Sequence, residues 1–434
     1  VNAQPPLDAG WPKRSHTCGE LRAEHAGSDV VLNGWVHRRR DQGGLIFLDL
    51  RDRYGITQVV VNRATSPQAH ERASSVRNEF VLAARGDVRG RPNGTANPDL
   101  ATGEIEVDTA EIDILAPSAT PPFEVTSDAD VDESLRLEYR YLDLRRRPML
   151  DLTELRFRIT RLMREFLWTR GFLELETPTL VKSTPEGARD FVVPSRHHPG
   201  QFYALPQSPQ QLKQLLMVAG LDRYFQLARA YRDEDLRADR VAEHTQLDIE
   251  MAFVDREDVL GLIEELYIQL VRQHSNKTIL QTPFPRLTYA EALDRFGTDK
   301  CDLRFCIELH DVSTDVGGRG FRVFDEVLQA GGQVKALVAP GCAAYSRRQV
   351  AGLQDIVQAA GAKGMGTIAF NEDGSLRSPL EKTFASDGLM EVGRELAAGP
   401  GDLVCLVADR PAVVAASLAA LRAHLGVMLD LLDP

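Results

Sequence analysis

The chain has 434 residues, 43% hydrophobic and 26% charged, which excludes a disordered, collagen-like or coiled-coil polypeptide. That length suits two to four domains, each able to bury its own core. With 51 Lys and Arg against 63 Asp and Glu, the net charge is −12, so any nucleic-acid partner must be met by local basic patches rather than by the overall field.

Residues 1–12 contain no signal-type apolar run. Five short β-rich segments follow, Val30 to Val36, Leu45 to Leu50, Ile56 to Val61, Glu79 to Val88 and Glu104 to Leu115, punctuated by Gly, Asn, Asp and Pro. They predict a small barrel. His37-Arg38-Arg39-Arg40-Asp41, followed by Gly43-Gly44, crowds positive charge at a strand end and its turn. On the next strand, alternation puts Ile46, Leu48 and Leu50 in one apolar row and Phe47 beside Asp49 and Arg51 on the other face. An aromatic among charges on an exposed sheet is a stacking platform for an unpaired base, and the combination matches the oligonucleotide-binding (OB) fold. The alternatives are a solvated basic turn and Phe47 as ordinary core.

Pro117 to Glu133 has three prolines and no aliphatic periodicity, which is linker composition. From Leu137 to Gly171, Leu155, Ile159, Leu162, Met163, Phe166 and Leu167 recur at helical spacing, and Gly171 ends the helix. Mixed strands and helices run to about Pro285, a Gly/Ala-rich αβ stretch fills 286 to 410, and Val413 to Leu432 reads as one amphipathic helix. The most apolar run, Pro411 to Leu421, meets Arg422, short of the roughly 18 residues that a bilayer span needs. Five scattered cysteines, Cys18, Cys301, Cys306, Cys342 and Cys405, suit a reducing cytoplasm.

The centre of the chain carries the chemistry. Thr184 to Asp190 is a polar turn with charges suited to an amine and to phosphates, or simply a loop. Ser208-Pro209 signals a helix start, which places Gln210 and Lys213 on one face. Arg232 to Arg240 packs seven charges into nine residues between two strand-like runs. Alternation then aligns His244, Gln246, Asp248 and Glu250 against Leu247, Ile249 and Met251 on the other face. Such a polar wall is expected to face a charged ligand, the alternative being a solvated lattice of ion pairs. Arg232 suits a phosphate; Asp248 and Glu250 suit an ammonium group or Mg²⁺. Neither a Gly-x-x-x-x-Gly-Lys-Ser/Thr loop nor Gly-x-Gly-x-x-Gly is present, so ATP, if bound, lies on a sheet. Cys301-x4-Cys306 lacks the spacing and partners of a zinc site, and no metal ligands are assigned.

Together these residues resemble bacterial-type aspartyl-tRNA synthetases, class II enzymes, over essentially the whole chain. Gly34-Trp35-Val36-His37-Arg38-Arg39-Arg40-Asp41 with Leu45 to Arg53 is similar to the family's anticodon-binding barrel, and Tyr139 to Arg145 to its hinge exit. Gly171 to Pro178 resembles motif 1, whose proline lies at the family's dimer interface; Arg232 to Glu250 resembles motif 2; Lys300 to Arg304 and the Gly/Ala-rich stretch after it resemble the bacterial insertion domain. The implied fold class is multidomain: an OB-fold β-barrel (1–117), a hinge (118–148), the first part of a class II antiparallel-sheet catalytic domain (149–285), an α+β insertion domain (286–412) and the start of the returning catalytic domain (413–434).

The resemblance implies roles position by position. Glu186, Gln210 and Asp248 would hold the aspartate ammonium and backbone, and Lys213 its side-chain carboxylate. Arg232 would clamp the ATP α-phosphate, with Glu234, His244 and Gln246 on the nucleotide or tRNA-end side, making Arg232 and Glu234 the catalytic pair. Arg40, Gln42, Phe47 and Gln58 would meet the anticodon. ATP and Mg²⁺, L-aspartate, tRNA(Asp) with or without tRNA(Asn), a homodimer and the cytoplasm follow in the same way. His244 stands where the family usually has a phenylalanine stacked on adenine, Gln42 occupies a position that varies between strict and relaxed enzymes, and Cys301 and Cys306 depart from the usual residues. Two other readings remain: a non-catalytic RNA-binding paralogue, against which the Glu186, Lys213, Arg232 and Asp248 set argues, and a tRNA-independent amino-acid ligase, against which the barrel argues. Family members continue into motif 3 with further arginines, whereas this sequence stops at Asp433-Pro434. The 434 residues alone are therefore expected not to support aspartate-dependent ATP–pyrophosphate exchange; robust exchange would overturn that expectation.

Overall fold

Apolar residues alternating along five strands close the first part of the chain into a barrel. In the computed structural model, which describes residues 12–126, 130–184, 186–237, 240–384 and 386–432, the strands are β1 (Asp29–Asp41), β2 (Leu45–Arg51) and β3 (Ile56–Asn62), then, after helix α1 (Pro67–Ser75), β4 (Val81–Gly90) and β5 (Ile105–Ala116). The order is β1-β2-β3-β5-β4, with β3 and β5 parallel and the other pairs antiparallel. Ile46, Leu48 and Leu50 point into the core with Val36, Val59 and Leu82, while Phe47, Asp49 and Arg51 on the opposite row are half-buried. α1 adds Ala69 and Ala73 to that core; Ser66 followed by Pro67 was the signal for it, and strand periodicity passes over it. β1 also runs past Val36 to Asp41, because Arg38 to Asp41 pair with β2. The basic run is therefore a strand rather than a turn, and the hairpin turns at Gly43, with φ +77.

The single helix expected over 137–171 is broken into α2 (Glu133–Glu138), α3 (Arg140–Asp143) and α4 (Arg147–Trp168). Two causes act together. The fully buried Asp143 carboxylate gathers Arg136, Arg140 and Arg146 at the break. Pro148, lacking an N–H, fits only the first turn of α4. Gly171, with φ +77, then turns the chain into β6 (Leu173–Glu174). β7 (Val192–Pro194) and β8 (Phe202–Ala204) form a hairpin, and after α5 (Gln210–Val218) the long strands β9 (Arg223–Tyr231) and β10 (Glu243–Met251) pair antiparallel in a sheet ordered β10-β9-β6. α6 (Arg256–His274) follows.

Packing divides the chain into two units, Val1–Val259 and Leu260–Pro434. The second contains α7 (Tyr289–Phe296), β11 (His310–Asp311), α8 (Ser313–Val316), α9 (Arg322–Gln329), β12 (Gln333–Ala339), α10 (Arg347–Ala359), β13 (Gly366–Phe370), β14 (Leu376–Arg377), α11 (Ser386–Glu395), β15 (Leu403–Asp409) and α12 (Pro411–Met428). Its sheet is antiparallel, ordered β11-β12-β15-β13-β14, and both faces are covered. Leu337, Cys405 and Val407 face α10 and α12, and Val334, Val404 and Leu406 face α8, α9 and α11. Strands buried on both faces read as continuous apolar runs, as Leu403 to Val407 does.

α12 follows β15 directly and packs back on the same sheet through Val414, Leu418, Leu421 and Leu425, so a division at 412/413 runs through one core. By length and composition this helix is apolar enough to cross a membrane, contrary to the reading from its first eleven residues, but its inner face is occupied by this sheet and by Arg422. Arg422, only 3% exposed, donates to the carbonyls of Ile307 (2.5 Å), Asp302 (2.6 Å) and Phe305 (3.2 Å) and lies over the Phe305 ring at 4.2 Å. Truncation strands three carbonyls at once. Arg422→Ala is expected to destabilise the second unit by about 3 kcal/mol, measured as a shift in its urea unfolding midpoint.

Candidate active site and nucleic-acid face

α5 and β10 bring a lysine and two carboxylates together. α5 begins at Gln210 with Pro209 at its cap, one residue later than the Ser-Pro signal predicted; the Ser208 hydroxyl still accepts from Gln210 N at 3.3 Å and donates to Glu186 Oε2 at 2.7 Å. One helical turn on, Lys213 Nζ lies 2.9 Å from Asp248 Oδ1 and 3.3 Å from Glu250 Oε2 and reaches the Ile249 carbonyl at 3.4 Å. Lys213 and Asp248 are 8% and 7% exposed. One cation against two carboxylates leaves a surplus negative charge, and the buried Oδ2 of Asp248 has no hydrogen-bond partner. The Tyr224 hydroxyl senses that carboxylate, but its single proton goes to Gln226 Oε1 at 2.8 Å. Burial pushes the Asp248 carboxyl above its usual range, and Lys213 partly offsets the shift. An ammonium donor would satisfy both the free oxygen and the surplus charge.

Across β9 and β10, Asp248 is opposite Gln226, whose Oε1 also accepts from Thr177 N (3.2 Å) and Oγ1 (2.9 Å), tying the polar wall to the segment after β6. The loop carrying Glu186 is held by Gln207, which is 3% exposed: its Oε1 accepts from Ala188 N (3.1 Å), and its Nε2 donates to Ala188 O (2.9 Å) and Asp190 Oδ1 (2.5 Å). Tyr224, Gln226 and Gln207 were missed. The register opposite Glu250 and Asp248 could have indicated the first two; nothing in the order of residues points Gln207 at a loop about twenty residues back. Gln210 is exposed on the first turn of α5.

Further along the same pair of strands, Arg232, Glu234, Asp235, Leu236, Arg240, Val241 and His244 line an open cavity of about 390 Å³. Glu234 lies 3.7 Å from Arg240, and among the described residues Arg232 has no ion-pair partner, which leaves a permanent bidentate cation for an anionic group. His244 and Gln246 pair with Ala230 and Ala228, small residues that limit crowding beside them. His244 and Asp248 are four positions apart, about 13 Å along a strand, the span of an amino acid joined to a nucleotide. Among the described residues no group of three or more His, Cys, Asp or Glu side chains is placed to hold a metal ion.

On the barrel, cross-strand pairing sets Arg40 opposite Phe47, with the guanidinium 5.7 Å from the ring. Arg40 Nη2 also donates to Asp49 Oδ1 (3.2 Å) and Gln58 Oε1 (3.0 Å). Gln58 is buried and donates to Glu106 Oε2 at 2.8 Å, so both ends of its amide are taken and it holds Arg40 in place. Glu106 in turn accepts from Arg89 at 2.9 Å. Arg91 donates to the Ile105 carbonyl at 3.0 Å, and burial pulls its pKa down. Arg40, Phe47 and Gln58 are thus brought together; Gln42 sits in the exposed hairpin turn, its backbone N–H donating to Leu45 O. Arg89, Glu106 and Arg91, on β4, β5 and the turn between them respectively, were not anticipated.

A barrel with a basic, aromatic face followed by a long antiparallel strand pair that holds a carboxylate–lysine cluster is the architecture of a class II aminoacyl-tRNA synthetase. The profile of the tRNA synthetases class II (D, K and N) matches residues 132–392, and that of the OB-fold nucleic acid binding domain matches residues 30–115. The chain belongs to this class II family. It is 56% identical to the aspartate–tRNA(Asp/Asn) ligase of Moorella thermoacetica over 97% of this chain and 70% of the relative. With the enzyme of the same name from Rubrobacter xylanophilus it shares 52% identity over 97% of this chain and 70% of the relative. Among solved structures, the fold is shared with asparaginyl-tRNA synthetase from Pyrococcus horikoshii, at TM-score 0.56 and 19% identity over 93% of this chain and 94% of that one. Aspartyl-tRNA synthetase from Entamoeba histolytica matches at TM-score 0.55 and 21% identity over 68% of this chain and 66% of that one.

The electrostatics of the cluster make a prediction. Asp248 binds its proton more tightly folded than unfolded, so its own contribution to stability is greatest below the ordinary carboxylate pKa and is lost as pH rises through the raised value. Lys213→Ala removes the group opposing that shift and should cost about 3–5 kcal/mol at pH 7. The loss should shrink at pH 4, where the abandoned carboxylates take up protons. Urea melts at the two pH values check it, and an equal loss at both would refute the coupling.

Proposed function

We propose that the protein carrying this chain is a cytoplasmic, homodimeric aspartate–tRNA ligase that activates L-aspartate with ATP and charges tRNA(Asp), and tRNA(Asn) as well. The observation that carries this reading is the Lys213–Asp248–Glu250 cluster on the same strand pair as the Arg232 cavity, with relatives of that activity matching almost the whole chain. In this division of labour the barrel (1–117) meets the anticodon, residues 118–148 are the hinge, 149–285 hold the chemistry, and 286–412 are an insertion that shares its core with the helix running on into 413–434.

Asp248, Glu186 and Gln210 take the ammonium and backbone of aspartate, and Lys213 orients its side-chain carboxylate by exchanging partners with Glu250. The α-carboxylate then attacks the α-phosphorus of ATP in line, pyrophosphate leaves, and Arg232 offsets the charge that develops on the phosphoryl oxygens. Glu234, His244 and Gln246 flank the nucleotide. Mg²⁺ fits the donor set only modestly: one or two carboxylates, Glu250 foremost, with the substrate phosphates supplying the remaining oxygens, as this ion commonly accepts. It would contribute charge neutralisation on the phosphates. In the second half-reaction the 3′-terminal hydroxyl of tRNA attacks the activated carbonyl and AMP departs. Arg40, Phe47 and Gln42 meet the anticodon bases, and Gln58 holds Arg40 in place for them.

Radiolabelled aspartate should be transferred to tRNA(Asp) and tRNA(Asn) transcripts by the product of the whole gene, and changing the anticodon should weaken transfer. Lys213→Ala should raise the KM for aspartate by about thirtyfold or more while moving that for ATP less than about threefold. Equal losses for both substrates would remove Lys213 from its role. RNA binding without any charging by the wild type would leave a binding protein rather than a ligase.

A further inference from the structure

Glu79 stands where the barrel joins the hinge. It precedes β4 at φ +64, a left-handed conformation uncommon for a residue with a side chain, and is only 3% exposed. Its backbone N–H donates to the Val36 carbonyl at 2.8 Å, which fixes it to β1. Its carboxylate accepts from two guanidinium groups of different origin. Arg51 Nη2, from β2, lies 2.8 and 3.0 Å from its two oxygens, and Arg145 Nη1, from the turn between α3 and α4, lies 2.9 Å from Oε2. The Arg145 guanidinium also lies over the Trp35 ring of β1 at 4.8 Å. Arg51 continues the chain in the other direction, its Nη1 lying 3.0 Å from Nδ1 of His37, the first residue of the basic run on the nucleic-acid face. Burial and the neighbouring Arg51 push the His37 pKa down, which keeps the ring neutral and able to accept. A hinge residue is thereby connected to the RNA-facing strand through three consecutive contacts, Arg145–Glu79–Arg51–His37. A further ion pair between the barrel and α4, Arg53 to Glu154 at 3.8 Å, is long, with Arg53 exposed and Glu154 half-buried, and contributes little.

We propose that Arg145 and Glu79 are positioning residues: their clasp orients the barrel on the hinge so that a tRNA held at its anticodon is presented to the catalytic sheet. The inference rests on the function proposed above. It follows from the chemistry of two-site binding. A ligand held at two places gains affinity from the second site only as far as the joint between them restricts their separation, and a loosened joint lowers the effective concentration of the second site. The barrel itself needs only Arg51 to neutralise Glu79, so Arg145 is superfluous to barrel folding and is the residue whose loss isolates the joint.

The test uses the 434-residue chain and two RNAs, a whole tRNA(Asp) transcript and its isolated anticodon stem-loop, with binding followed by fluorescence anisotropy. Arg145→Ala should weaken the whole tRNA about tenfold and leave the stem-loop within twofold. Arg145→Lys, which keeps a charge for Glu79 but not the planar stack on Trp35, should recover part of the loss. An equal loss for both RNAs would mean that the clasp merely stabilises the barrel, and no loss for either would mean that it positions nothing; each overturns the inference. If the wild-type chain bound neither RNA, the anticodon role proposed for the barrel would fail and this inference with it.

Discussion

Lys213 reaches from α5 to two carboxylates on β10, and the candidate catalytic surface is organised around that contact. Asp248 and Glu250 are two residues apart on one strand, so their side chains share a face and would repel each other were no cation between them. A lysine one turn into the preceding helix fills that position, docking α5 on the sheet and holding the wall in a half-buried environment. Because the cluster is short of one positive charge and one hydrogen bond, it is structurally stable yet chemically unsatisfied. That condition suits a site for an amine rather than a closed structural ion pair.

The barrel face is built on a related principle. Arg40 is held by Asp49 and by Gln58, and Gln58 is held by the buried Glu106, so a flexible side chain is placed by neighbours that are themselves fixed. Ordering the arginine in advance lowers the side-chain entropy lost when RNA arrives. The same barrel is tied to the hinge at Glu79, where one buried carboxylate serves a guanidinium from each side. In the second unit the roles are reversed: Arg422 is a buried cation, and backbone carbonyls with two phenylalanine rings take the place of counter-charges.

Much of the architecture was legible in residue order because it depends on local periodicity. The five barrel strands lie within a few residues of their expected positions, since alternation and turn residues are properties of neighbouring positions. The break between α3 and α4 was not legible. It arises from Asp143 gathering arginines three to seven residues away, an arrangement that helical spacing does not distinguish from an ordinary exposed face. α12 shows the same limit from the other side: its apolar composition was visible, but the sheet it covers was not, nor were the carbonyls that accept from Arg422.

The candidate site divides along similar lines. Residue order placed His244, Gln246, Asp248 and Glu250 on one face, Lys213 on the first turn of a helix and Phe47 opposite the barrel core, because each follows from the fixed period of a strand or helix. Tertiary structure alone decided that Lys213 would meet Asp248 and Glu250, that Gln207 would brace the Glu186 loop, and that Gln58 would give up both ends of its amide to Arg40 and Glu106. Those contacts join residues 18 to 48 positions apart, and only the closing of the chain brings their atoms within hydrogen-bonding distance. A period specifies which face a side chain occupies; what stands opposite that face is set by packing.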